Sequence, residues 1–239
     1  MNRNGQIFTN HWTSIFYNPL YLIRSALYEE ICIRSGYLKG RLLDFGCGTK
    51  PYKHLFNNVE EYIGLDFESD RVKGEKTETD IIYDGKTIPA DDNSFDSILS
   101  TEVFEHLFDL QGALKELNRV LKPGGLMLFT CPFSFGEHES PYDFARYTSF
   151  ALKSILQSNG FEIVEYKKTG SHIAVIIQYI ALYINYIISK SKPIKIILFP
   201  ILISPLFFMS KLLHFALPIK FLRDDLYLNN IVLCKKINK

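Results

Sequence analysis

The sequence predicts an α/β fold that opens with a nucleotide-binding unit. A first apolar run ends in Asp44 and is followed by a tight glycine turn, Gly46-Cys47-Gly48. A second apolar run ends in Asp66, eighteen residues after Gly48. A strand, a glycine turn, a helix and a second strand that ends in an acid are typical of such a unit. The glycines let the main chain approach a ligand closely, and the second acid can bind both hydroxyls of a ribose.

The glycine turn departs from the pattern that binds a dinucleotide. That pattern requires a third glycine, three residues after the second, and Pro51 stands there instead. Asp44 places a carboxylate at the tip of the first strand, where it suits a cationic ligand group and would repel a phosphate. These two features count against an NAD-dependent oxidoreductase. They favour S-adenosylmethionine, which carries an ammonium and a sulfonium group and has no phosphate.

The segment D-F-G-C-G-T-K-P-Y at residues 44–52 resembles motif I of the class I S-adenosylmethionine-dependent methyltransferases. Later segments follow in the order of that family: a third strand with its acid (81–84), a loop and fourth strand (88–100), the segment after it (101–106), an amphipathic helix (110–121) and a fifth strand (126–131). The glycines that follow Pro123 are expected to end the helix. The resemblance covers residues 40–168 and fits the branch called methyltransferase type 11.

This resemblance implies a Rossmann-like, seven-stranded, mostly parallel sheet with an antiparallel last strand. It implies S-adenosylmethionine as cofactor and methyl transfer as the activity. By position in the motifs, the cofactor-binding residues are Asp44, Gly46, Cys47, Gly48, Asp66, Asp84 and Glu102. Lys50 is unusual for the family, and we expect it either to pair with the cofactor's carboxylate or to be solvated. Cys47 is interpreted as a small residue that fits a cramped turn.

Composition favours a reduced, cytoplasmic protein without a metal site. The four cysteines show no CxxC spacing and no metal-ligand cluster. Residues 1–15 contain no apolar signal-peptide core. From Lys167 to Arg223 there are eight basic residues and no acidic ones, so the rest of the chain is acidic. An acidic cofactor half argues against nucleic acid as a partner, and a basic, apolar half is compatible with an anionic membrane surface.

An apolar helical insert separates the sixth strand from the last one. The sequence predicts four parts: an N-terminal helical cap or lid (1–40), the cofactor-binding core (41–168), the insert (169–228) and the closing strand and tail (229–239). Ile173, Ile177, Ile180, Ile184 and Ile187 form a stripe at helical spacing, which we call the isoleucine stripe, with Gln178 on the opposite side. Three interpretations stay open: an interfacial or re-entrant membrane anchor, a lid or homodimer surface, and a transmembrane hairpin.

Residues for acceptor chemistry are expected after the fourth and fifth strands, because open α/β sheets bind ligands at the carboxyl ends of their strands. His138, or His106 after the fourth strand, is the candidate general base for an acceptor hydroxyl. The candidate acceptor-binding residues are Asp143, Arg146 and Tyr147. One alternative is a surface loop in which Asp143 and Arg146 pair with each other. For Glu105 and His106, which are adjacent in the sequence, the alternative is a structural or cofactor-shell role.

The sequence thus predicts an S-adenosylmethionine-dependent methyltransferase acting on a small-molecule or lipid-linked acceptor. The preferred acceptor is a lipid-linked saccharide or another amphipathic envelope intermediate, with O-methylation slightly favoured. The protein would be cytoplasmic, and peripheral on the inner face of the cell membrane if the insert binds lipid. The alternative function is a non-catalytic, cofactor-binding membrane or partner module, against which the presence of both Asp44 and Asp66 counts.

Overall fold

A computed structural model of the protein describes residues 12–67, 78–217 and 224–237. Its sheet has seven strands in the order β3-β2-β1-β4-β5-β7-β6. The strands are β1 (Gly40–Phe45), β2 (Val59–Phe67), β3 (Ile81–Tyr83), β4 (Phe95–Thr101), β5 (Leu121–Pro132), β6 (Phe161–Thr169) and β7 (Asn229–Lys236). The pairs that join β3, β2, β1, β4 and β5 are all parallel.

The last strand runs against its neighbours. Leu228 N–H donates to Thr169 O at the end of β6, and Ile237 N–H donates to Gly160 O just before its start. On the other side, Cys234 Sγ lies 3.6 Å from Met127 O. The antiparallel last strand and the seven-stranded Rossmann-like sheet are therefore confirmed, with the apolar insert preceding that strand.

Six α-helices lie in the described part of the chain: α1 (Tyr21–Ser35), α2 (Leu110–Val120), α3 (Ser149–Ser158), α4 (His172–Ile188), α5 (Lys192–Leu202) and α6 (Ser204–Ala216). The side chain of Asp109 caps α2 by accepting from Gly112 N–H at 2.9 Å. The helix ends at Val120, before the predicted stop at Pro123, because Leu121 is extended and pairs with Phe95 of β4.

A full helix predicted between the glycine turn and β2 is not formed. The segment contains only a three-residue 3-10 helix, Lys53–Leu55. Just ten residues separate Gly48 from Val59. Within them Lys50 has a positive φ of 49° and Pro51 lacks an N–H group, so too few residues remain for a stable α-helix.

The chain divides into two compact units. One comprises Glu30–Lys167 with Asn230–Lys239, and its core is built by the sheet, α2 and α3 around fully buried residues such as Leu43, Phe45 and Phe129. The other, which we call the helical unit, comprises the described residues of Met1–Glu29 and Lys168–Asn229. Residues 12–29 thus group with the insert helices.

Within the helical unit, α4 buries only part of the isoleucine stripe. Ile177 is buried, whereas Ile180 and Ile187 are about half exposed (45% and 50%). The other buried residues of the helix include Gln178, which lies on the side that the sequence indicates as polar. Gln178 lies inward because its Nε2 donates to Pro19 O at 2.7 Å, which satisfies the amide N–H. A hydrogen bond to a residue distant in sequence therefore allows a polar side chain to be buried beside Ile177.

Candidate functional site

The candidate site lies where the strand order reverses, between β1 and β4. Strands β1 and β4 are parallel neighbours, and β2 and β5 flank them on opposite sides. The glycine turn follows β1 and Glu102 follows β4, so both lie at the carboxyl ends of these strands. This crevice is the place where open α/β sheets bind ligands.

Backbone hydrogen bonds hold the glycine turn against β2. Gly46 N–H and Cys47 N–H both donate to Leu65 O, at 2.8 and 3.0 Å. Gly48 N–H donates to Asp66 Oδ2 at 2.8 Å, which joins the turn directly to the acid at the end of β2. The two features that define the cofactor motif in the sequence are therefore in contact.

The two glycines of the turn are required for different reasons. Both have positive φ, 75° at Gly46 and 49° at Gly48, which favours glycine. A Cβ on Gly46 would lie 2.3 Å from Cγ2 of Val103 in the segment after β4. A Cβ on Gly48 would meet nothing within 4 Å. Gly46 thus allows close packing, and Gly48 borders open space in front of the turn.

Asp44 lies beneath the turn with only 3% of its surface exposed. Tyr62 Oη donates to its Oδ2 at 2.6 Å. Burial raises the pKa of Asp44 to about 7; the hydrogen bond from Tyr62 and the positive charge of Lys50 act against this rise, and the charge of Asp66 adds to it. The Asp44 carboxyl therefore titrates near neutral pH, and a cationic group beside it would favour its ionised form.

Lys50 is neither solvated nor directed at an open site. Its residue is 7% exposed, and its Nζ lies 2.6 Å from Asp80 Oδ2, which also accepts from Gly64 N–H at 2.7 Å. A Cβ on Gly64 would lie 2.3 Å from the Cε of Lys50. The absence of a side chain on Gly64 therefore makes room for a lysine that fixes the start of β3 to the turn.

The remaining predicted cofactor residues differ in how they are used. Cys47 is buried, and burial raises the pKa of its thiol to about 12, so it is a protonated filler of the turn. Asp84 is exposed, and its Oδ1 accepts from the N–H groups of Lys86 and Thr87 at 2.8 and 3.0 Å, which lowers its pKa. Glu102 has a positive φ of 56°, and its Oε1 accepts from Thr130 Oγ1 at 2.7 Å.

The donor set fits S-adenosylmethionine. Open space in front of Gly48 leaves room for a ligand, and Asp66 at the edge of that space is a carboxylate suited to ribose hydroxyls. The buried carboxyl of Asp44 suits the cationic end of the cofactor. Glu102, whose left-handed backbone is uncommon for glutamate, borders the same crevice.

The segments after β4 and β5 bring Glu105, His106 and His138 together. Each of the three side chains has one nitrogen or oxygen atom of the kind that can bind a metal ion, and these three atoms all lie within 4.8 Å of one another. His106 Nδ1 lies 2.7 Å from Tyr142 O, and the rings of His106 and His138 are 4.8 Å apart, edge to face. Glu105 is fully buried, and burial, followed by the charge of Glu102, raises its pKa well above the usual range.

The predicted acceptor-binding residues Asp143 and Arg146 pair with each other. Arg146 Nη1 and Nη2 donate to the two Asp143 oxygens at 2.6 and 2.7 Å, and this guanidinium lowers the Asp143 pKa. Arg146 also donates to Phe135 O and Gly136 O. The pair therefore organises the loop after β5. The backbone N–H of His138 also donates to Asp143 Oδ2 at 2.9 Å, which fixes His138 to the same pair. Half-buried Tyr147 ends this loop.

Sequence reasoning missed one participant of the site, Tyr62. Its hydroxyl donates to Asp44, and the only sign of this in the sequence is its place in β2, which puts it beside Leu42 of β1. For Glu105 the sequence indicated a structural or cofactor-shell role together with His106. The burial of Glu105 near both histidines depends on loop conformations that residue spacing does not encode.

Comparison with known proteins agrees with this geometry. Residues 43–129 match the family model described as a methyltransferase domain. Demethylmenaquinone methyltransferase of Staphylococcus saprophyticus is 30% identical over 116 residues, 44% of this chain and 48% of that protein. The chain thus spans about half the length of this curated relative.

Solved structures share the fold. The [4+2]-cyclase SpnF aligns with a TM-score of 0.58 and 19% identity, over 92% of this chain and 83% of that one. Phosphoethanolamine N-methyltransferase 2 of Haemonchus contortus, in complex with S-adenosyl-L-methionine, aligns with a TM-score of 0.57 and 18% identity, over 98% of this chain and 57% of that one. At these identities the likeness concerns the fold.

Proposed function

The chain belongs to the class I S-adenosylmethionine-dependent methyltransferases, and we propose that it methylates a hydroxyl group of an amphipathic acceptor. The observation that carries this proposal is the pair of imidazoles, His106 and His138, placed after β4 and β5. S-adenosylmethionine supplies an electrophilic methyl group when bound. An acceptor hydroxyl must lose its proton to become an effective nucleophile, whereas a neutral amine needs no such help.

His138 is the better placed of the two histidines to take that proton. Its Nδ1 forms a hydrogen bond with Gly136 O at 3.3 Å, and Asp143 Oδ2 lies 3.2 Å from the same nitrogen. The donor Arg146 Nη2 lies farther away, at 3.4 Å, so the nearer acceptors place the proton on Nδ1 and leave Nε2 as the acceptor of a proton. Burial lowers the pKa of His138, which favours the neutral ring at neutral pH. Asp143, kept ionised by Arg146, stabilises the imidazolium that forms, as in other carboxylate-oriented histidines.

Replacing His138 by alanine is expected to lower methyl transfer by roughly 10²- to 10⁴-fold, because that range is typical for loss of a general base. S-adenosylmethionine affinity, measured by calorimetry, should stay within a few-fold of wild type, since the glycine turn is not touched. Replacing His214 of α6 by alanine removes an imidazole elsewhere and serves as the control. Unchanged turnover in the His138 variant would remove the base role.

An amphipathic acceptor is supported by the surface of the helical unit. Exposed apolar side chains cover much of α4, α5 and α6: Ile176, Tyr179, Ile180, Tyr183, Tyr186, Ile187, Ile194, Ile196, Ile197, Ile201, Leu202, Phe208, Met209, Leu212 and Phe215. We call this set the apolar surface. The S. saprophyticus relative is named for a quinone acceptor, demethylmenaquinone. We propose a lipid-linked saccharide or a similar envelope intermediate as the acceptor here.

The same surface favours peripheral membrane binding over a single transmembrane crossing. The stretch Lys192–Ala216 has 25 residues and is long and apolar enough to cross a bilayer. Its most apolar segment is mostly exposed, with 28% of that segment buried in the structure. One crossing would place its two ends on opposite sides of a membrane, yet β6 and β7 belong to one sheet. The helix is also interrupted near Pro205, where Ser204 Oγ donates to Ile15 O at 2.9 Å.

Changing Lys190, Lys192 and Lys195 together to glutamate is expected to abolish flotation with anionic liposomes at low salt. Each lysine near an anionic surface contributes about 1 kcal/mol, so reversing three charges should weaken binding by roughly 100-fold or more. A control with the same charge change at Lys86, Lys115 and Lys235, all outside the helical unit, should float normally. Equal flotation of both triple variants would contradict the electrostatic part of the proposal.

Labelled S-adenosylmethionine and a lipid extract of the source cells test the function as a whole. Label that moves into the organic phase supports an amphipathic acceptor, and label confined to water-soluble products contradicts it. Cofactor binding without any transfer would favour the alternative of a non-catalytic membrane or partner module. A wild-type protein that neither floats nor transfers to lipid, and that sediments as a dimer, would favour a homodimer through the isoleucine stripe.

A further inference from the structure

We propose that Glu105, His106 and His138 bind one divalent transition-metal cation, of which Zn²⁺ is the probe of choice. A ligand-type atom from each of the three residues already lies within 4.8 Å of the others. Two imidazoles and a carboxylate form a donor set suited to zinc and to the neighbouring late first-row metals. The sequence alone gives no sign of such a site, because residues 106 and 138 lie on different loops.

The hydrogen bonds of His106 prepare it as a ligand. Its Nδ1 lies 2.7 Å from Tyr142 O, and a carbonyl oxygen can only accept, so Nδ1 carries the proton. Nε2 is therefore a lone-pair donor. It lies 3.7 Å from Glu105 Oε1 and 3.9 Å from Glu139 Oε2, so carboxylate oxygens lie on the side where a cation would sit.

His138 is prepared in the same way. Its Nδ1 lies 3.2 Å from Asp143 Oδ2 and 3.3 Å from Gly136 O, both acceptors, and these are nearer than the donor Arg146 Nη2 at 3.4 Å. The proton is therefore assigned to Nδ1. Arg146 donates to both carboxylate oxygens of Asp143 and keeps that acceptor in place. Metal-binding histidines usually donate their second ring N–H to a carboxylate or a carbonyl in this manner, which fixes the tautomer and raises the basicity of the ligand.

Glu105 is the observation that singles out this cluster. It is completely buried, and neither side-chain oxygen has a hydrogen-bond partner among the described residues. A buried carboxyl group without partners costs free energy that a structure normally avoids. The position is nonetheless fixed, because Glu105 O accepts from Phe144 N–H and Ala145 N–H at 2.8 and 3.2 Å. A cation beside the two imidazoles would satisfy this carboxylate.

The spacing is compatible with binding after a small closure. Ligand atoms about 2.0–2.2 Å from a tetrahedral zinc ion lie roughly 3.3–3.6 Å apart. The pair Glu105 Oε1 and His106 Nε2, at 3.7 Å, is almost at that spacing, and a pair 4.8 Å apart must approach by roughly 1.2–1.5 Å. Three protein ligands leave a fourth position for water or an acceptor oxygen, which is typical of a catalytic rather than a structural metal site.

This inference rests on the proposed function, because it gives the histidine cluster a second way to activate an acceptor hydroxyl. A hydroxyl bound to the cation has a lowered pKa and can lose its proton to water at neutral pH. The oxygen anion then attacks the methyl carbon: the O–C bond forms as the S–C bond breaks, and the thioether product leaves neutral. His106 and His138 would in that case act through the cation.

The test is a zinc titration of the untagged, chelator-treated full chain, with zinc content measured after equilibrium dialysis. We expect one equivalent bound per wild-type chain, and at least 10-fold weaker binding by Glu105→Gln and by His138→Gln. His214→Ala, which removes an imidazole outside the cluster, should bind like wild type. Zinc should raise the thermal midpoint of wild type and not that of Glu105→Gln. If Glu105→Gln does not fold, His138→Gln, whose ring is partly exposed, decides the matter.

Binding below one equivalent by wild type, or equal binding by wild type and both cluster variants, would overturn the inference. Methyl transfer is measured separately, with and without chelator. Stoichiometric zinc binding in a protein that transfers no methyl group would support the cation site and overturn the proposed function. Methyl transfer that persists in chelator, in a protein that binds no zinc, would support the proposed function and overturn the cation site.

Discussion

Replacing Asp66 by asparagine is expected to weaken S-adenosylmethionine binding by roughly 10- to 150-fold. A hydrogen bond to a charged acceptor contributes about 1.5–3 kcal/mol, and the amide removes the charge while keeping one acceptor oxygen. Asp66 already accepts from Gly48 N–H and from Phe67 N–H, so its carboxylate is held at the edge of the turn. Calorimetric titration with the cofactor measures the loss.

Asp84→Asn is the matched control, since it makes the same chemical change in the acid after β3. Its Oδ1 is engaged by Lys86 N–H and Thr87 N–H, which an asparagine oxygen can also accept. We expect the S-adenosylmethionine affinity to fall by less than about 5-fold, because only one weak, solvent-exposed contact would be lost. A loss at Asp84 as large as that at Asp66 would show that the adenine side depends on this acid, as the family resemblance implies.

Gly46→Ala is expected to destabilise the fold severely. The left-handed backbone at φ 75° costs about 1–2 kcal/mol for a residue with a Cβ. The new methyl group would also lie 2.3 Å from Val103 Cγ2, and overpacking of this kind typically costs 1–3 kcal/mol. The thermal midpoint should therefore fall by roughly 4–20 °C, measured by circular dichroism without cofactor.

Gly48→Ala separates the two causes. Its backbone cost is similar, about 1–2 kcal/mol, but the new methyl group meets no neighbouring atom, so the thermal midpoint should fall less than in Gly46→Ala. Cofactor affinity should fall, because the methyl group projects into the space in front of the turn. Adding Val103→Ala to Gly46→Ala should restore part of the stability by removing the clash. Equal destabilisation by both glycine variants, without rescue, would contradict the packing explanation.

The cofactor half of the site could be predicted because its geometry is local. The glycine turn, Asp44 and Asp66 lie within 23 residues, and parallel pairing of β1 with β2 brings the two strand ends to one edge. The contact between Gly48 and Asp66 follows from that arrangement. The buried position of Lys50 could not be predicted. Its partner Asp80 lies 30 residues away, in the segment before β3, and Gly64 contributes only the space that its missing side chain leaves.

The acceptor half depends on long loops, and there prediction from sequence was weaker. The residue types after β4 and β5 indicated chemistry and left the pairing of Asp143 with Arg146 as an alternative, which the structure shows. They did not indicate the burial of Glu105 or the hydrogen bonds from Arg146 to main-chain oxygens of its loop. Glu102 and Glu139 both adopt positive φ, which no propensity argument would assign to glutamate. Apolar spacing likewise did not indicate that Gln178 of α4 is buried, because spacing takes no account of the hydrogen bond from Gln178 to Pro19 O.

The position of β7 inside the sheet also sets an order of events during synthesis. β6 ends at Thr169, yet among the described strands its only neighbour in the sheet is β7, which begins at Asn229. At translation rates of about 5–20 residues per second, β6 waits roughly 3–12 s for that neighbour. Helices α4, α5 and α6 leave the ribosome during this interval. The most apolar part of the chain is therefore made before the sheet can close, when a nascent-chain binding factor or a membrane has the first opportunity to receive it.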